Sequence, residues 1–296
     1  MTLADYTTFT AIAECKNLTL AADRLHLTKS AVSHAVARME NELGLPLFYR
    51  TQKEWILTES GEKLLPFAYS VIREDSRFTE VVREIHGLTS GRVTLGACSS
   101  TCINWVPHIL NGFRELYPNI EIWMKGGANN TQIIRYLDDN EIDLGIAAAE
   151  PTPDLEVIEL YEDEMLCITN QSYTARDPRH ISTEELRSLP LLLQSGDFGE
   201  EALAVLAALG VPADPHYTTF DDASLVAMVS GGLGYCIVGK LVMKGISSPV
   251  NIYSFDPPQY RYLSLLYNKR IMLSPAGKAL KNYIVKYIKD YPEYTL

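Results

Sequence analysis

The chain has 296 residues, of which 47% are hydrophobic and 21% are charged, and this usage excludes a largely disordered protein. Since one hydrophobic core rarely serves so long a chain, we expect more than one domain. Neither a membrane-spanning apolar stretch nor a secretory signal is found, so we expect a cytoplasmic protein. The five cysteines form no CxxC pair, which argues against a disulfide framework or a zinc site.

The charge is unevenly distributed along the chain. The net charge of −11 disfavours a nucleic-acid partner at first sight. Residues 91–296 hold −9 of this charge, however, and residues 1–60 hold only −1. The N-terminal segment is therefore nearly neutral and has room for a locally basic face.

Residues 1–45 have the pattern of three helices. Apolar residues recur at helical spacing from Tyr6 onward. Thr19 is a candidate N-cap for a short second helix over residues 20–25. Thr28 is the candidate N-cap of a third helix, which should continue to Leu43 and end at Gly44.

Two short strands and a long helix are predicted next. Residues 47–50 and 54–57 favour strands with a polar tip between them. The helix should begin at Thr58, end near Gly87 and be followed by a linker over residues 89–91. A heptad seam typical of helix pairing is formed by Leu64, Ala68, Val71, Asp75, Phe78, Val82 and Ile85.

From Arg92 onward, strand patterns alternate with helix patterns, which predicts an α/β fold with a parallel sheet and helices on both faces. The predicted strands span 92–97, 120–125, 144–148, 165–169, 191–194, 216–219, 235–238, 250–255 and 262–267. The predicted helices span 103–117, 131–140, 183–189, 199–209, 222–230 and 274–289.

The third helix carries the most specific pattern. Val32, Val36 and Met39 form its apolar stripe, whereas Ser33 and His34 lie on the opposite face. Short polar side chains on an exposed helix face permit close approach to base edges in the major groove of DNA. By itself this pattern is equally typical of a solvated helix face.

The motifs of residues 3–90 distinguish a DNA-contacting helix face from a solvated one. The runs LTLAADRLHLTKSAVSHAVARME, ELGLPLFYR and LTESG resemble the N-terminal domain of LysR-type transcriptional regulators. The resemblance implies a winged helix-turn-helix over residues 1–60, a dimerising linker helix over 58–90 and an effector-binding domain over 91–296. That last domain resembles periplasmic solute-binding proteins, with one lobe at about 92–162 and 264–296 and the other at about 163–263.

The resemblance also implies which residues contact DNA. The positions are the cap Thr28, Lys29, Ser30, Ser33, His34 and Arg38 of the third helix, and Arg50 and Lys53 of the wing. The chain departs from the family at Lys29-Ser30, where Gln-Pro is usual, and at His34, where a basic or amide residue is usual. A base preference is therefore not transferable from a relative.

Hydroxyl-rich loops after the strands predict an effector site. Helix N-termini at the carboxyl ends of strands favour anions, although the same hydroxyls serve equally as caps. The candidate residues are Ser99, Ser100, Thr101, Asn129 and Thr131 on one wall and Gln194, Ser195, Phe198 and Thr219 on the other. They favour a small organic acid or a polar aromatic effector. Since no cation lies in these loops, a neutral or weakly acidic effector is also compatible, and the balance of −9 over residues 91–296 is compatible with a cationic one.

The expected protein is thus a regulator that binds double-stranded DNA and a small molecule and assembles as a dimer, with a tetramer implied by the family. A cytoplasmic solute-binding module remains an alternative. Cys98 and Cys102 at a helix N-terminus raise a second alternative, a redox-sensing module. No metal, cofactor or enzymatic activity is expected, because G-x-S-x-G, Walker A and H-E-x-x-H motifs are missing from the sequence.

Overall fold

The computed structural model describes residues 1–51, 54–85, 90–149 and 152–290. Its N-terminal part contains three helices, a two-stranded hairpin and one long helix. These elements are α1 (Leu3–Cys15), α2 (Leu18–Arg24), α3 (Lys29–Leu43), β1 (Phe48–Arg50), β2 (Trp55–Leu57) and α4 (Glu59–Ile85). In the described part of the chain, no helix is long and apolar enough to span a membrane.

The ends of α3 are confirmed as the sequence predicts them. The Thr28 hydroxyl accepts a hydrogen bond from the Ala31 N–H at 3.2 Å, and Gly44 ends the helix with a φ of 66°. Glycine adopts this left-handed conformation without a steric penalty. The predicted cap of α2 is wrong by two residues, because the Asn17 side chain accepts the Thr19 N–H at 2.8 Å and caps the helix instead.

The hairpin packs its first strand into the N-terminal core. Phe48 pairs with Leu57 across the strands, and its ring lies 5.5 Å from that of Phe9 and 5.6 Å from that of Trp55. Aromatic edge contacts of this kind stabilise the fold beyond their buried area. The hairpin is thereby fixed against α1. Of the predicted tip, Gln52 and Lys53 lie outside the described residues.

The predicted seam on α4 divides into two surfaces. Leu64 and Ala68 pack into the core around α1 and α3, so they are not available to a partner. Further along, the apolar side chains of α4 are exposed, with Phe78 72% and Ile85 77% accessible. An exposed apolar stripe of this length on one helix face is typical of an interaction surface. The predicted end near Gly87 lies outside the described residues.

The C-terminal part forms a mixed α/β domain. Its strands are β3 (Gly91–Cys98), β4 (Ile120–Ala128), β5 (Leu144–Ala148), β6 (Leu155–Asn170), β7 (Leu191–Gln194), β8 (Pro215–Thr219), β9 (Cys236–Gly239), β10 (Val250–Tyr253) and β11 (Gln259–Asn268). Its helices are α5 (Ser99–Asn104), α6 (Val106–Leu116), α7 (Asn130–Asp138), α8 (Thr183–Ser188), α9 (Glu200–Ala208), α10 (Asp222–Ser230), α11 (Lys240–Lys244) and α12 (Pro275–Asp290).

The prediction of a parallel sheet is wrong for four of the seven strands of the main sheet, β6, β9, β10 and β11. The main sheet has the order β10-β6-β11-β5-β3-β4, with β9 also paired to β6. Only the β3–β4 and β3–β5 pairs in it are parallel, whereas β11 is antiparallel to β5 and β6. The reason is that β11 brings the chain back into the first half of the sheet in the reverse direction. Alternation of strands and helices does not reveal this return.

Two further differences have local causes. The predicted strand at 165–169 is only the end of the 16-residue β6, whose first ten residues include Glu156, Glu159, Glu162, Asp163 and Glu164 and so lack the pattern of a buried strand. The predicted helix at 103–117 is divided at Trp105, which is fully buried. Pro107 lies in the first turn of the second piece, where proline is tolerated and initiates a helix.

Two lobes with separate cores result. The first-lobe core surrounds Trp105, Ile109 and Phe113, and the second-lobe core surrounds Tyr235 and Phe255. The strands β6 and β11 run through both lobes, and a register irregularity in their pairing occurs at Leu263/Ser264. The surface between the lobes is therefore lined from β6, β11 and the helices on either side.

Glu185 gives the second lobe a predictable dependence on pH. Its buried carboxylate accepts hydrogen bonds from the Ser182 hydroxyl at 2.7 Å, the Arg176 N–H at 2.9 Å and the Tyr173 hydroxyl at 3.1 Å. Burial alone would raise the pKa of Glu185, but these bonds outweigh it and lower the pKa from 4.5 to about 2. The folded state is therefore stabilised above pH 4.5, and this contribution is lost as the pH falls toward 2.

We expect Glu185→Gln to lower the urea midpoint at neutral pH and to flatten its decline over the acid range. Glu184→Gln is the matched control, since this neighbouring carboxylate is 74% exposed. Urea titrations followed by circular dichroism at a series of pH values measure both effects. Equal acid sensitivity in the two variants would contradict the prediction.

Candidate nucleic-acid interface and inter-lobe cleft

The outer face of α3 is polar and accessible. Lys29, Ser30 and His34 are exposed and Ser33 is half-buried, while Val32 on the opposite face is fully buried. The Ser30 hydroxyl lies 3.0 Å from that of the cap Thr28. Because the buried face fixes the helix and the outer side chains are short, another molecule can approach this surface closely.

Arg38 continues this face one turn further and is held by a buried carboxylate. Asp5, which is 2% exposed, forms an ion pair with Arg38 and accepts the Thr2 N–H at 2.7 Å. Burial alone would raise the pKa of Asp5, but the bonds from Thr2 and Arg38 outweigh it and lower the pKa below its ordinary value. The guanidinium is thereby fixed beside the N-terminus of α1.

Arg50 is fixed in a similar way at the hairpin. It pairs with Glu40 of α3 at 2.5 Å and lies over the Trp55 ring at 4.9 Å. The other oxygen of Glu40 accepts the Leu47 N–H at 2.9 Å. These contacts join the hairpin to α3, so the exposed cations Arg38 and Arg50 flank the outer face of the helix at fixed positions.

A second candidate site is a cavity of about 500 Å³ between the lobes. Thr131 of α7 lines its first-lobe side, Glu200 and Val205 of α9 line its second-lobe side, and Tyr260 and Arg261 enter from β11. A cavity of this size between two lobes matches the volume range of small-molecule sites.

Arg261 is the central charged group of this cleft. Its side chain is 9% exposed and donates to Asp163 at 2.8 Å, to Glu201 at 2.5 Å and to the Ser100 hydroxyl at 3.0 Å. Burial alone would lower the pKa of Arg261, but the carboxylates of Glu201 and Asp163 outweigh it and raise the pKa above its ordinary value. The group is therefore a permanent cation that uses one N–H on each of Nε, Nη1 and Nη2 in these bonds.

The two lobes are joined by hydrogen bonds across the cleft. The Asn130 amide donates to Glu201 at 2.9 Å, and the Thr131 hydroxyl lies 3.2 Å from both oxygens of Glu200. Asp222 lies nearby, in a small recess that also includes Gln194, Phe198 and Arg261. Burial raises the pKa of Asp222 to about 6, despite the opposing charge of Arg261.

Most of the predicted hydroxyl cluster does not line the cavity. Thr101 is fully buried and donates to the Cys98 carbonyl at 2.9 Å, and Ser100 is bound by Arg261. Asn129 caps α7 by accepting the Gln132 N–H at 2.7 Å. Among the described lining residues, Thr131 is the member of the first-lobe set that faces the cavity.

The remaining predicted positions, Ser99, Gln194, Ser195, Phe198 and Thr219, do not line this cavity either. Ser99 is half-buried at the start of α5, and the Ser195 N–H donates to the Thr219 carbonyl at 2.7 Å.

Burial raises the pKa of the Cys102 thiol, so a reactive thiolate is disfavoured there. No group of His, Cys, Asp and Glu suited to a metal ion occurs within the described ranges.

Comparison with known proteins assigns the two parts of the chain. Residues 3–62 match the model of the bacterial regulatory helix-turn-helix protein, lysR family, and residues 86–289 match the model of the LysR substrate binding domain. The chain belongs to the LysR family of bacterial transcriptional regulators. It is thus a DNA-binding transcriptional regulator with an effector-binding domain, which confirms the assignment made from the sequence.

Individual relatives agree with this assignment. The HTH-type transcriptional activator CmpR of Synechocystis sp. (strain ATCC 27184 / PCC 6803 / Kazusa) is 26% identical over 290 residues, with 96% of this chain and 94% of CmpR covered. The uncharacterized HTH-type transcriptional regulator YvbU of Bacillus subtilis (strain 168) is 26% identical over 268 residues, covering 90% and 91%. The fold resembles full-length CbnR in complex with its target DNA, with a TM-score of 0.68, 18% identity and coverage of 97% and 100%.

In this LysR-type regulator, the sequence did not identify the charged groups of the cleft. Arg261, Asp163 and Glu201 lie on separate elements, and only the fold brings them together. One feature of the sequence points to a buried charge here. In a strand over 259–268, Arg261 lies on the same face as the apolar Leu263 and Leu265, which are buried.

The linker helix of the regulator is attached to its effector-binding domain. Arg73 of α4 donates to the carbonyls of Asn140 at 2.8 Å and Ile142 at 2.7 Å and forms an ion pair with Asp143. The Asn140 amide in turn donates to the Ser70 hydroxyl at 2.7 Å. A displacement of residues 140–143 in the first lobe would therefore be transmitted directly to α4 through these hydrogen bonds.

Proposed function

We propose that this regulator binds duplex DNA as a dimer, with the outer face of α3 in the major groove, and that a small molecule in the inter-lobe cleft controls it. The proposal rests chiefly on the exposed polar face of α3, whose opposite face is fixed in the core. Because the chromosome is its target, we expect it to act in the cytoplasm as a regulator and not as an enzyme.

The proposed contacts with DNA are of two kinds, those to base edges and those to phosphates. Ser33 and His34 reach base edges, because their side chains offer hydrogen-bond donors and acceptors at the centre of the outer face. Lys29, Arg38 and Arg50, together with Lys53 of the tip, contact phosphates at its margins. The solved complex of CbnR with its target DNA supports this use of the shared fold.

The exposed apolar part of α4 supports pairing of two chains. Phe67, Val71, Phe78, Val82 and Ile85 lie along one side of the helix and are exposed in the single chain. Pairing of two such helices removes this surface from water, which favours association. Further assembly into a tetramer through the C-terminal domains is a prediction from the family.

Control by the effector requires a difference between two states. A ligand that contacts both walls of the cleft favours the closed arrangement of the lobes, and only its differential affinity shifts the population. The contact of Arg73 with Asn140, Ile142 and Asp143 offers a route from the first lobe to α4. The spacing of the two α3 helices in the dimer would change accordingly.

Capture of genomic DNA tests the function. We expect purified protein to enrich fragments of the source genome that share a motif with two related half-sites. Binding should weaken steeply as salt rises, because cationic side chains displace counterions from the phosphates. Enrichment that shows no shared motif, or affinity that is insensitive to salt, would contradict the proposal.

A further inference from the structure

The groups that would bind an anionic effector in the cleft are already bound by carboxylates of the chain itself. Arg261 is the buried cation of the site, and it donates to Asp163 through Nε and to Glu201 through Nη1. Glu201 also accepts the Asn130 amide through its second oxygen. Both oxygens of Glu201 are thus engaged where the carboxylate of an organic acid would have to bind.

Three backbone donors near the cleft are used by side chains of the chain itself. The Leu241 N–H at the start of α11 donates to Asp163 at 2.9 Å. At the start of α7, the Gln132 N–H donates to the Asn129 side chain at 2.7 Å, and the Asn129 N–H donates to the Gln132 side chain at 3.2 Å. These caps leave the two helix starts with fewer donors for an external carboxylate.

The remaining charge that faces the cavity is negative. Glu200 is exposed and lines the cavity, and the Thr131 hydroxyl lies 3.2 Å from both of its carboxylate oxygens. Among the described lining residues, the charged groups are Glu200, Glu201 and Arg261, which sum to −1. Asp163, which binds Arg261 from behind, brings the balance to −2.

The other lining groups suit the body of an organic cation. Ile134, Met165 and Val205 provide apolar surface, and Tyr260 and Tyr262 line the same cavity with half-exposed rings. The faces of aromatic rings attract ammonium groups. The cleft therefore combines accessible carboxylate oxygens with an apolar and aromatic wall.

We propose that the inter-lobe cleft takes an organic cation, an amine with an apolar body, and that Glu201 is the residue that excludes organic acids. The inference rests on the proposed function, because it concerns the effector site defined there. The ammonium group binds at Glu200 beside Glu201, and the apolar body lies along Val205 and Tyr260.

The charge of the ligand explains why the cleft prefers an amine to an organic acid. A carboxylate in the cleft must either displace Glu201 from Arg261 or lie beside Glu201 and Glu200, where like charges repel. An ammonium group needs no displacement, and it supplies three donors to carboxylate oxygens that still have free lone pairs. The organic acid expected from the hydroxyl-rich loops is therefore disfavoured by charges that the sequence alone did not bring together.

Matched pairs of probes test the proposal. Isothermal titration calorimetry with the full chain compares benzylamine with benzoate, cyclohexylamine with cyclohexanecarboxylate and butylamine with butyrate. We expect the wild type to bind at least one amine and none of the three acids. Glu200→Gln should weaken that amine at least tenfold, whereas Glu115→Gln, an exposed carboxylate of α6 outside the cleft, should leave it unchanged.

Glu201→Gln is the decisive variant for selectivity, because it removes the repelling charge and leaves Arg261 a neutral amide acceptor, which a ligand carboxylate displaces more readily than the ion pair. We expect it to gain binding of the acid that matches the bound amine. If this variant does not fold, the wild type and Glu200→Gln still decide the ligand class, since Glu200 is exposed. Binding of an acid to the wild type, binding of no amine, or equal amine affinity in Glu200→Gln would each overturn the proposal.

These outcomes are separable from the DNA-binding proposal. Genomic capture is carried out with the wild type and no added amine, so it reports on DNA binding by the paired α3 helices and not on the cleft. Capture of a specific motif together with failure of all amines overturns only the ligand class. Amine binding without any DNA motif leaves the ligand class in place and contradicts the regulatory function.

Discussion

Replacing Ser33 and His34 together by alanine is expected to lower the affinity for a specific duplex by roughly 30- to 1,000-fold, which corresponds to about 2–4 kcal/mol. Both side chains lie on the outer face of α3, opposite the buried Val32 and Val36. The double variant removes two polar side chains without disturbing the core or the N-cap Thr28. Binding to non-specific DNA should change little, because Lys29 and the flanking arginines still contact phosphates.

Fluorescence anisotropy with a duplex selected by the wild type measures this loss. Asn41→Ala is the matched control, because Asn41 is an exposed polar residue near the far end of the same helix. The control should bind as the wild type does. Unchanged specific affinity in the Ser33→Ala, His34→Ala double variant would show that another surface reads the DNA.

Phe78→Asp is expected to separate the paired α4 helices. Phe78 is 72% exposed in the single chain, so the substitution leaves the fold of the protomer intact. In a pair of helices the new carboxylate would be buried without a partner, at a cost of several kcal/mol. A cost of that size lowers dimer affinity by roughly a thousandfold, because each 1.4 kcal/mol is a factor of ten.

Sedimentation velocity over a range of protein concentrations checks this prediction. Thr79→Asp adds the same charge at the adjacent exposed position, which is turned about 100° around the helix from Phe78. We expect Thr79→Asp to dissociate much less. An unchanged sedimentation coefficient for Phe78→Asp at every concentration would exclude this part of α4 as the pairing surface.

Local signals in the sequence were sufficient for the N-terminal elements. Thr28 and Gly44 mark the ends of α3 because capping and left-handed geometry depend on neighbouring residues only. The same reasoning failed at α2, where Asn17 and Thr19 are both good caps and the sequence does not rank them. The pairing seam of α4 was predicted too far toward its start, because the spacing does not show that Leu64 and Ala68 face α1.

The site between the lobes depends on contacts that are remote in sequence. Arg261 meets Asp163 across 98 positions and Ser100 across 161, and no spacing rule relates them. The prediction from loops identified hydroxyls at helix starts, but Thr101 is buried within α5 and its hydroxyl donates to the Cys98 carbonyl. Charge neutralisation inside a cleft is a property of the fold, and the proposed ligand class is argued from it and not from the loops.

The position of α3 on DNA is tested most directly by cleavage from a tethered iron chelate. His34→Cys offers an exposed thiol on the outer face; Cys98, Cys167 and Cys236 are buried, and the half-buried Cys15 and Cys102 are replaced by serine in the labelled variants. With the chelate at position 34, we predict strand cleavage confined to the major groove of the two half-sites that the wild type protects. The chelate on Asn41→Cys serves as the control, and its cleavage should be shifted or weaker. Uniform cleavage along the duplex from position 34, or cleavage only outside the protected half-sites, would contradict the account.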